Sequence, residues 1–488
     1  MTDLPFLPCV VELESRRRLE GEAEDEDFLR LVRPWERESC SAVLLSGGSS
    51  DCARYSIGCR DPFLTLRARK DGAVLRSPSG ACSVAGDPLA LLDRLDESIL
   101  PDFPLVQPPF SGGAVGYLAY ELKNHIERLP QTSSDERRLP EMLLFWPRDV
   151  LIHDRWEKRL HALRFRFSPS GSRLREQGPP RAPDLSLGAS SRHSSPRVPA
   201  SRQWLQEKLS ERFTSNFTRE EYVKAVGKIR EYIRQGEVYQ VNLSQRFQCA
   251  FNGNASSLWE NLFAANPAPF YAFLQAGDHQ IVSTSMERFL LRRGDKVEAR
   301  PIKGTRPRGR TPDEDARLTA DLLSHPKDDA ELSMIVDLLR NDLGRVCRPR
   351  SVRVKEHKRL EAYGNVLHLV SVVEGLLRRG VTHGELLRAT FPGGSITGCP
   401  RIRAMEIIDE MEPDVRHVYT GGIGYLGWHD NLDLSVAIRT AVIHQGTCTF
   451  SVGGGIVYDS VEEEEYRETL HKGATFFQVL QSAGGSPS

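Results

Sequence analysis

Three residues in the second half of the chain carry side chains suited to covalent and acid–base chemistry: Lys303, Glu287 and His368. Lys303 lies in Arg300-Pro-Ile-Lys-Gly-Thr-Arg-Pro-Arg308. A lysine amine attacks carbon only while neutral, and burial or a neighbouring cation is what lowers its pKa far enough. Glu287, in Met286-Glu-Arg-Phe-Leu290, is an acid between apolar runs. Desolvation there would raise its pKa and make it a proton donor, whereas a partner such as Arg288 would make it an ordinary ion pair. His368 sits in Val366-Leu-His-Leu-Val370, where an imidazole either helps a proton move or is a satisfied core residue.

Two acidic stretches and two glycine runs accompany them. Asp328-Asp-Ala-Glu-Leu-Ser-Met-Ile335 puts Glu331 one turn ahead of Ile335 on an otherwise apolar helix, expected from about Asp328 to Leu339. A second helix, expected from about Val461 to Leu480, carries Glu465 and Glu468 on one face, with Lys472 a turn further along it. Carboxylates brought together from two helices bind a hard divalent cation such as Mg²⁺, with water or substrate oxygens completing the shell. Each run is also what a solvated helix face looks like, and the spacing alone assigns no metal. The runs Pro392-Gly-Gly-Ser-Ile-Thr-Gly398 and Val452-Gly-Gly-Gly-Ile456 either bring backbone N–H groups close to an anion or make plain turns. Arg439, in Val436-Ala-Ile-Arg-Thr440, is a guanidinium in an apolar strand pattern. It needs a carboxylate, from a ligand or from a structural ion pair. A nucleophile, a cation site and anion holders in one pocket would suit a small polyanionic substrate.

The elements that must position these groups fall into two halves of a 488-residue chain. Residues 1–167 alternate short apolar runs with turn signals, among them Ser41–Leu45, Phe63–Ala68, Glu141–Trp146, Val150–Asp154 and Leu160–Phe167, with a helical pattern at Leu89–Leu95. Residues 168–203 are rich in Ser, Pro and Arg and read as a disordered loop or linker. Residues 217–482 form the part that carries the chemistry, opening on a helix with Thr218 and Glu221 as a capping box. Strand patterns follow at Tyr239–Leu243, Tyr271–Leu274, Gln280–Ser283, Val366–Val373, Gly421–Leu426, Leu434–Thr440 and Thr449–Gly453. The charge balance, 65 Lys and Arg against 66 Asp and Glu, argues against a dedicated nucleic-acid binder. Nine scattered cysteines without CxxC spacing suit a reducing cytoplasm. No leader peptide and no membrane span is read from the apolar runs.

With those motifs in view, the stretch from Thr218 to Leu480 resembles the chorismate-utilising enzymes: anthranilate synthase component I, aminodeoxychorismate synthase component I, isochorismate synthase and salicylate synthase. The resemblance rests on Tyr239-Gln-Val-Asn-Leu-Ser-Gln-Arg-Phe247, Pro301-Ile-Lys-Gly-Thr-Arg-Pro-Arg308, Met334-Ile-Val-Asp-Leu-Leu-Arg-Asn-Asp342, Phe391-Pro-Gly-Gly-Ser-Ile-Thr-Gly398, Ala437-Ile-Arg-Thr440 and Gly453-Gly-Gly-Ile-Val457. The first half matches through Phe110-Ser-Gly-Gly-Ala-Val-Gly-Tyr117 and Leu44-Leu-Ser-Gly47. Departures are Met286, where a proline is common, and Gly398-Cys-Pro-Arg401.

The resemblance implies an α+β fold of large antiparallel sheets packed face to face, with helices outside and both halves in one unit. It implies Mg²⁺ held by Glu331 and Glu468 with Glu465 in support. Arg439, Tyr419 and Lys472 would take one carboxylate of chorismate, and the amides of Gly453, Gly454 and Gly455 the other. Gln240 stands where isochorismate-forming relatives place a lysine base. Lysine at position 303 looks like aminodeoxychorismate synthase component I, in which it attacks the ring while Glu287 protonates the departing hydroxyl and His368 orients it. No cysteine here has the glycine-flanked setting of a glutaminase nucleophile, so ammonia would come from a separate glutamine amidotransferase. Ser46 is compatible with the tryptophan pocket found in relatives.

Overall fold

The computed structural model describes residues 8–19, 21–105, 110–169, 212–363 and 366–483. Ser168 and Pro169 close a strand, Arg159–Pro169, rather than opening the expected 168–203 linker, whose remaining residues, 170–203, lie outside the described residues. Two long strands, Tyr55–Arg69 and Met142–Asp154, run antiparallel along their length, with Pro62 opposite Pro147 where the register shifts. Neither proline has an N–H to give to the ladder, so hydrogen bonding is interrupted there and the strands can serve two sheets. Each strand has one set of neighbours before the proline rung and another after it.

On one side, Tyr55–Arg69 pairs with Ser41–Leu45, and the sheet continues through Phe270–Gln275, His279–Ser285, Thr440–His444 and Thr447–Ile456 to Gln240–Ala250. On the other, Met142–Asp154 pairs with Gly113–Leu118, and the sheet continues through Gly422–Gly427, Asn431–Val436, Arg288–Arg293 and Lys296–Ala299 to Val366–Leu376. Ile302–Pro307 and Arg353–Ala362 also pair with Val366–Leu376. Both sheets therefore draw strands from both halves of the chain. Leu64, Leu66, Leu144, Val241, Leu290 and Leu369 lie in one buried cluster. The architecture is α+β, with large antiparallel sheets and helices packed against them. No helix among the described residues is long and apolar enough to cross a membrane.

Local sequence accounts for most elements. Leu64, Leu66 and Ala68 alternate with Thr65 and Arg67 and are fully buried, the period of a strand. The helix Arg219–Arg234 starts from the Thr218–Glu221 capping box and buries Tyr222, Ala225, Val226 and Ile229. The helix bearing Glu331 is longer than expected, Pro326–Gly344, because its proline occupies the first turn, where no N–H is needed. Glu141–Trp146 and Val150–Asp154 are one strand rather than two, and Leu434–Thr440 is two strands with Arg439 in the gap.

Beneath these sheets lies a buried ion pair. The Arg416 guanidinium donates to both carboxylate oxygens of Glu412, at 2.8 and 2.6 Å, to the Asn242 carbonyl at 2.7 Å and to the Ile396 carbonyl at 3.0 Å. Glu412 also accepts from the amide and hydroxyl of Ser244, at 2.8 and 2.9 Å. Arg416→Met would strand a buried carboxylate, a change that costs about 3–5 kcal/mol. Urea unfolding followed by intrinsic fluorescence is expected to show a midpoint well below that of the native chain. A midpoint left in place would mean that the pair does not join these segments.

Candidate active site

Lys303 stands on Ile302–Pro307 just before a slip in its ladder with Val366–Leu376, where Gly304 takes φ +70°. Its ammonium lies 3.6 Å from Glu331 Oε2. Facing it is the glycine run on Thr447–Ile456, paired rung by rung with Gln240–Ala250 so that Gly455 opposes Asn242 and Gly454 opposes Leu243. A Cβ on Gly455 would come within 2.3 Å of Gln240 Nε2 and 3.2 Å of Lys303 Nζ. One on Gly454 would meet Glu465 Oε2 at 3.2 Å, Glu468 Oε1 at 3.7 Å and Lys472 Nζ at 3.8 Å. The missing side chains thus make the space into which lysines, acids and an amide converge. Lys472 donates to the Gly453 carbonyl at 2.9 Å and pairs with Glu468 at 2.7 Å.

Glu287 sits between His279–Ser285 and Arg288–Arg293 and is buried. Burial pushes its pKa up to about 7, against the pull of a 2.6 Å hydrogen bond from Ser395 Oγ and the charge of Lys303. Arg288 is engaged with Asp433 and Glu298, at 2.9 and 3.3 Å, so it is not Glu287's partner. His368 is buried, and that burial, with the charge of Arg439, drives its pKa down to about 3. The ring is therefore neutral near pH 7. Its Nδ1 meets Thr305 Oγ1 at 2.9 Å, and its Nε2 has no partner among the described residues.

Other polar groups are left over in the same way. Both side-chain amide atoms of Gln240 and the Oδ1 of Asn242 are buried without a hydrogen bond among the described residues. Arg439 has φ 48°, which turns it out of the ladder. Its guanidinium makes no hydrogen bond or ion pair among the described residues, and burial lowers its pKa. The Tyr419 ring lies beside Arg416, 5.9 Å from its guanidinium, and burial raises the phenol's pKa. Buried polar atoms without partners are costly, and several around one space are what a ligand-binding site looks like.

The acids divide. Glu465 is buried, its Oε1 accepts from Ser460 at 2.6 Å, and burial with the neighbouring Glu468 charge raises its pKa. Glu468 is lowered, first by Lys472 and also by Lys303. By area it is half exposed, yet protein surrounds it, as for a group in the floor of an open cleft. No three acidic, His or Cys side chains among the described residues are gathered closely enough to hold a metal unaided. Glu331 lies against Lys303 rather than completing the expected set with Glu465 and Glu468. A Mg²⁺ ion, however, keeps several waters and takes only one or two protein carboxylates with substrate oxygens. Glu465 Oε2 and Glu468 Oε1, both beside Gly454, fit that requirement.

The structure thus brings together Lys303, Glu287, His368, Gln240, Arg439, Lys472, the three glycines, Glu465 and Glu468, with Glu331 against Lys303, while Tyr419 stands beside Arg416. Ser46 belongs elsewhere. It lines a separate cavity of about 200 Å³ with Pro269, Phe270 and Tyr271, and its hydroxyl donates to the carbonyls of Tyr55 and Pro269, at 2.6 and 3.2 Å. Sequence reasoning missed Ser395, Thr305 and Asn242 as partners in the site, and Lys327, whose charge acts on Glu465 and Glu468. The first three lie inside the motifs quoted above, but a motif does not say which side chain touches which.

A buried acid, a lysine amine and polar groups unpaired among the described residues thus gather in one place. Residues 61–478 match the family of chorismate binding enzymes. The chain is 39% identical to aminodeoxychorismate synthase component 1 of Klebsiella aerogenes over 454 residues, 92% of this chain and 94% of that protein. It is 36% identical to anthranilate synthase component 1 of Aquifex aeolicus over 476 residues, 97% and 95% of the two chains. The crystal structure of anthranilate synthase component I from Streptococcus pneumoniae superposes with TM-score 0.72 at 30% identity, over 88% of this chain and 93% of that one. The chain belongs to the chorismate-binding enzymes.

The Glu287 carboxyl, followed as its protonated band by difference infrared spectroscopy and assigned with Glu287→Gln, is expected to titrate near 7. Ser395→Ala removes a donor to the carboxylate, so the midpoint should move higher. A midpoint in the ordinary carboxylate range for both proteins would contradict the burial argument.

Proposed function

We propose that this chain is an aminodeoxychorismate synthase component I, which converts chorismate and ammonia to 4-amino-4-deoxychorismate, a precursor of 4-aminobenzoate and folate. Relatives named for this reaction and for anthranilate synthesis are of comparable identity, so the reading rests on one observation: a lysine amine at position 303 in the cleft, beside Glu331 and Gly455. Arg439 and Lys472, with Tyr419 nearby, hold one substrate carboxylate, and the glycine amides approach the other. Mg²⁺, when bound by Glu465 and Glu468, would neutralise that second carboxylate and orient it.

The Lys303 amine attacks ring C2, the double bond shifts, and the C4 hydroxyl leaves with the proton of Glu287. The raised pKa of Glu287 keeps that proton available near pH 7. His368, neutral and fixed through Nδ1 by Thr305, presents Nε2 to the departing hydroxyl. Ammonia then attacks C4, the double bond returns, and the Lys303 amine is expelled. Two allylic displacements replace one and give net retention at C4. Ammonia is supplied by a partner glutamine amidotransferase.

Incubation with chorismate, Mg²⁺ and ammonium, with product analysis by mass and chromatography, separates the possibilities. The expected product is 4-amino-4-deoxychorismate, formed with ammonium and not with glutamine. Lys303→Ala is expected to lose most turnover and Glu287→Gln about 10²–10⁴-fold. Anthranilate as product, or near-native turnover by Lys303→Ala, rules the reading out. Glu465→Gln and Glu468→Gln should each shift Mg²⁺ activation to higher metal concentration, and titration curves that overlay the native one would remove them as ligands.

A further inference from the structure

Cys249 and Cys448 face each other across the antiparallel pair formed by Gln240–Ala250 and Thr447–Ile456. Directly opposed residues in such a pair have Cα atoms about 4.5 or 5.5 Å apart, depending on the type of rung. Both separations fall within the roughly 4.4–6.8 Å that a disulfide spans without backbone movement. No other rung among the described strands sets two cysteines opposite one another. The two thiols are free, and each acts on the other. A hydrogen bond from Cys448 lowers the pKa of Cys249, while the same contact and burial raise that of Cys448.

We propose that Cys249 and Cys448 are an oxidisable dithiol, a cross-strand disulfide site tying together the two strands that carry Gln240 and Gly453–Gly455. The pair is the penultimate rung of its ladder, followed only by Ala250 and Thr447. Cys249 is 5% exposed and Cys448 0%, so oxidant reaches them when that end of the ladder opens, a local event of low free energy at a strand terminus. The sulfurs share an aromatic cluster with Phe247, Phe450, Phe476 and Phe477, the last two on the helix that also bears Glu465 and Glu468. With oxidised glutathione, the Cys249 thiolate attacks one sulfur and expels one glutathione thiol. Cys448 then attacks the Cys249 sulfur of the mixed disulfide and expels the second. The protein gives up two protons and two electrons, which end on the two glutathione thiols.

The test uses the full-length protein, reduced, freed of reductant and incubated with oxidised glutathione, then alkylated in denaturant and digested. The intact mass is expected to fall by about 2 Da, the two hydrogens lost. Two of the nine cysteines should escape alkylation, in one cross-linked peptide pair joining Cys249 to Cys448, and dithiothreitol should restore both. Nine alkylated cysteines, a persistent glutathione adduct on the native chain, or cross-links between other cysteines would each overturn the proposal. Cys448→Ser should instead stop at a mixed disulfide on Cys249. The peptide map is read on the native sequence, so it decides the question even where that variant does not fold.

Discussion

Arg416 and Glu412 share two hydrogen bonds inside the molecule, and their remaining valences reach the segments on which the cleft is built. A buried ion pair stabilises little unless each donor and acceptor is used, because desolvation takes back most of the Coulomb attraction. Here they are used on backbone. Arg416 binds the carbonyls of Asn242 and Ile396, and Glu412 binds the amide of Ser244. Ile396 follows Ser395, which holds Glu287, while Asn242 lies two residues along its strand from Gln240 and therefore on the same face. The pair thus fixes the placement of the buried acid relative to the strand that faces the glycine run. Replacing both partners by apolar groups would keep the volume filled and lose that registration.

The groups so placed are not at rest with one another. Among the described residues, Gln240, Asn242 and His368 each keep a buried polar atom without a partner, and Arg439 keeps its guanidinium unpaired on a left-handed backbone. An unmade buried hydrogen bond costs about 1–3 kcal/mol, and a non-glycine residue at positive φ adds strain. Such costs persist only where surrounding structure over-determines the positions. The surroundings here are two sheets whose central strands are buried on both faces, a frame stiff enough to hold polar groups apart from each other until a ligand joins them.

Much of this frame was legible in the sequence. The Thr218–Glu221 cap, the alternation at Leu64–Ala68 and the acid faces of the two helices are local signals, and the structure keeps them. What could not be read is non-local. The opposition of Pro62 and Pro147 joins residues far apart in sequence, so one strand read as two. Arg439 read as a strand residue because Val436, Ala437 and Ile438 around it are apolar, yet its backbone breaks the ladder. Ser395 and Thr305 were visible as motif members, but their hydrogen bonds to Glu287 and His368 depend on how distant strands meet. The grouping of Glu331 with Glu465 and Glu468 was implied by the family resemblance and not by helix faces, and Lys303, beside Glu331, acts on Glu468 as well.

Charge explains why the cleft tolerates that arrangement. Glu465 and Glu468 repel one another beside Gly454, while Arg439 lacks an anion and Lys303 and Lys327 lie close enough to moderate the acids. A dianionic ligand alone would satisfy Arg439 and worsen the repulsion at the acids. A divalent cation alone would relieve the acids and add to the charge already felt by His368 and Lys303. Bound together, a dicarboxylate and a divalent cation would cancel both imbalances, each lowering the cost of accommodating the other. Linkage makes that coupling reciprocal, the same free energy whichever binds first. It follows from the positions of the fixed charges and needs no movement of the sheets that hold them.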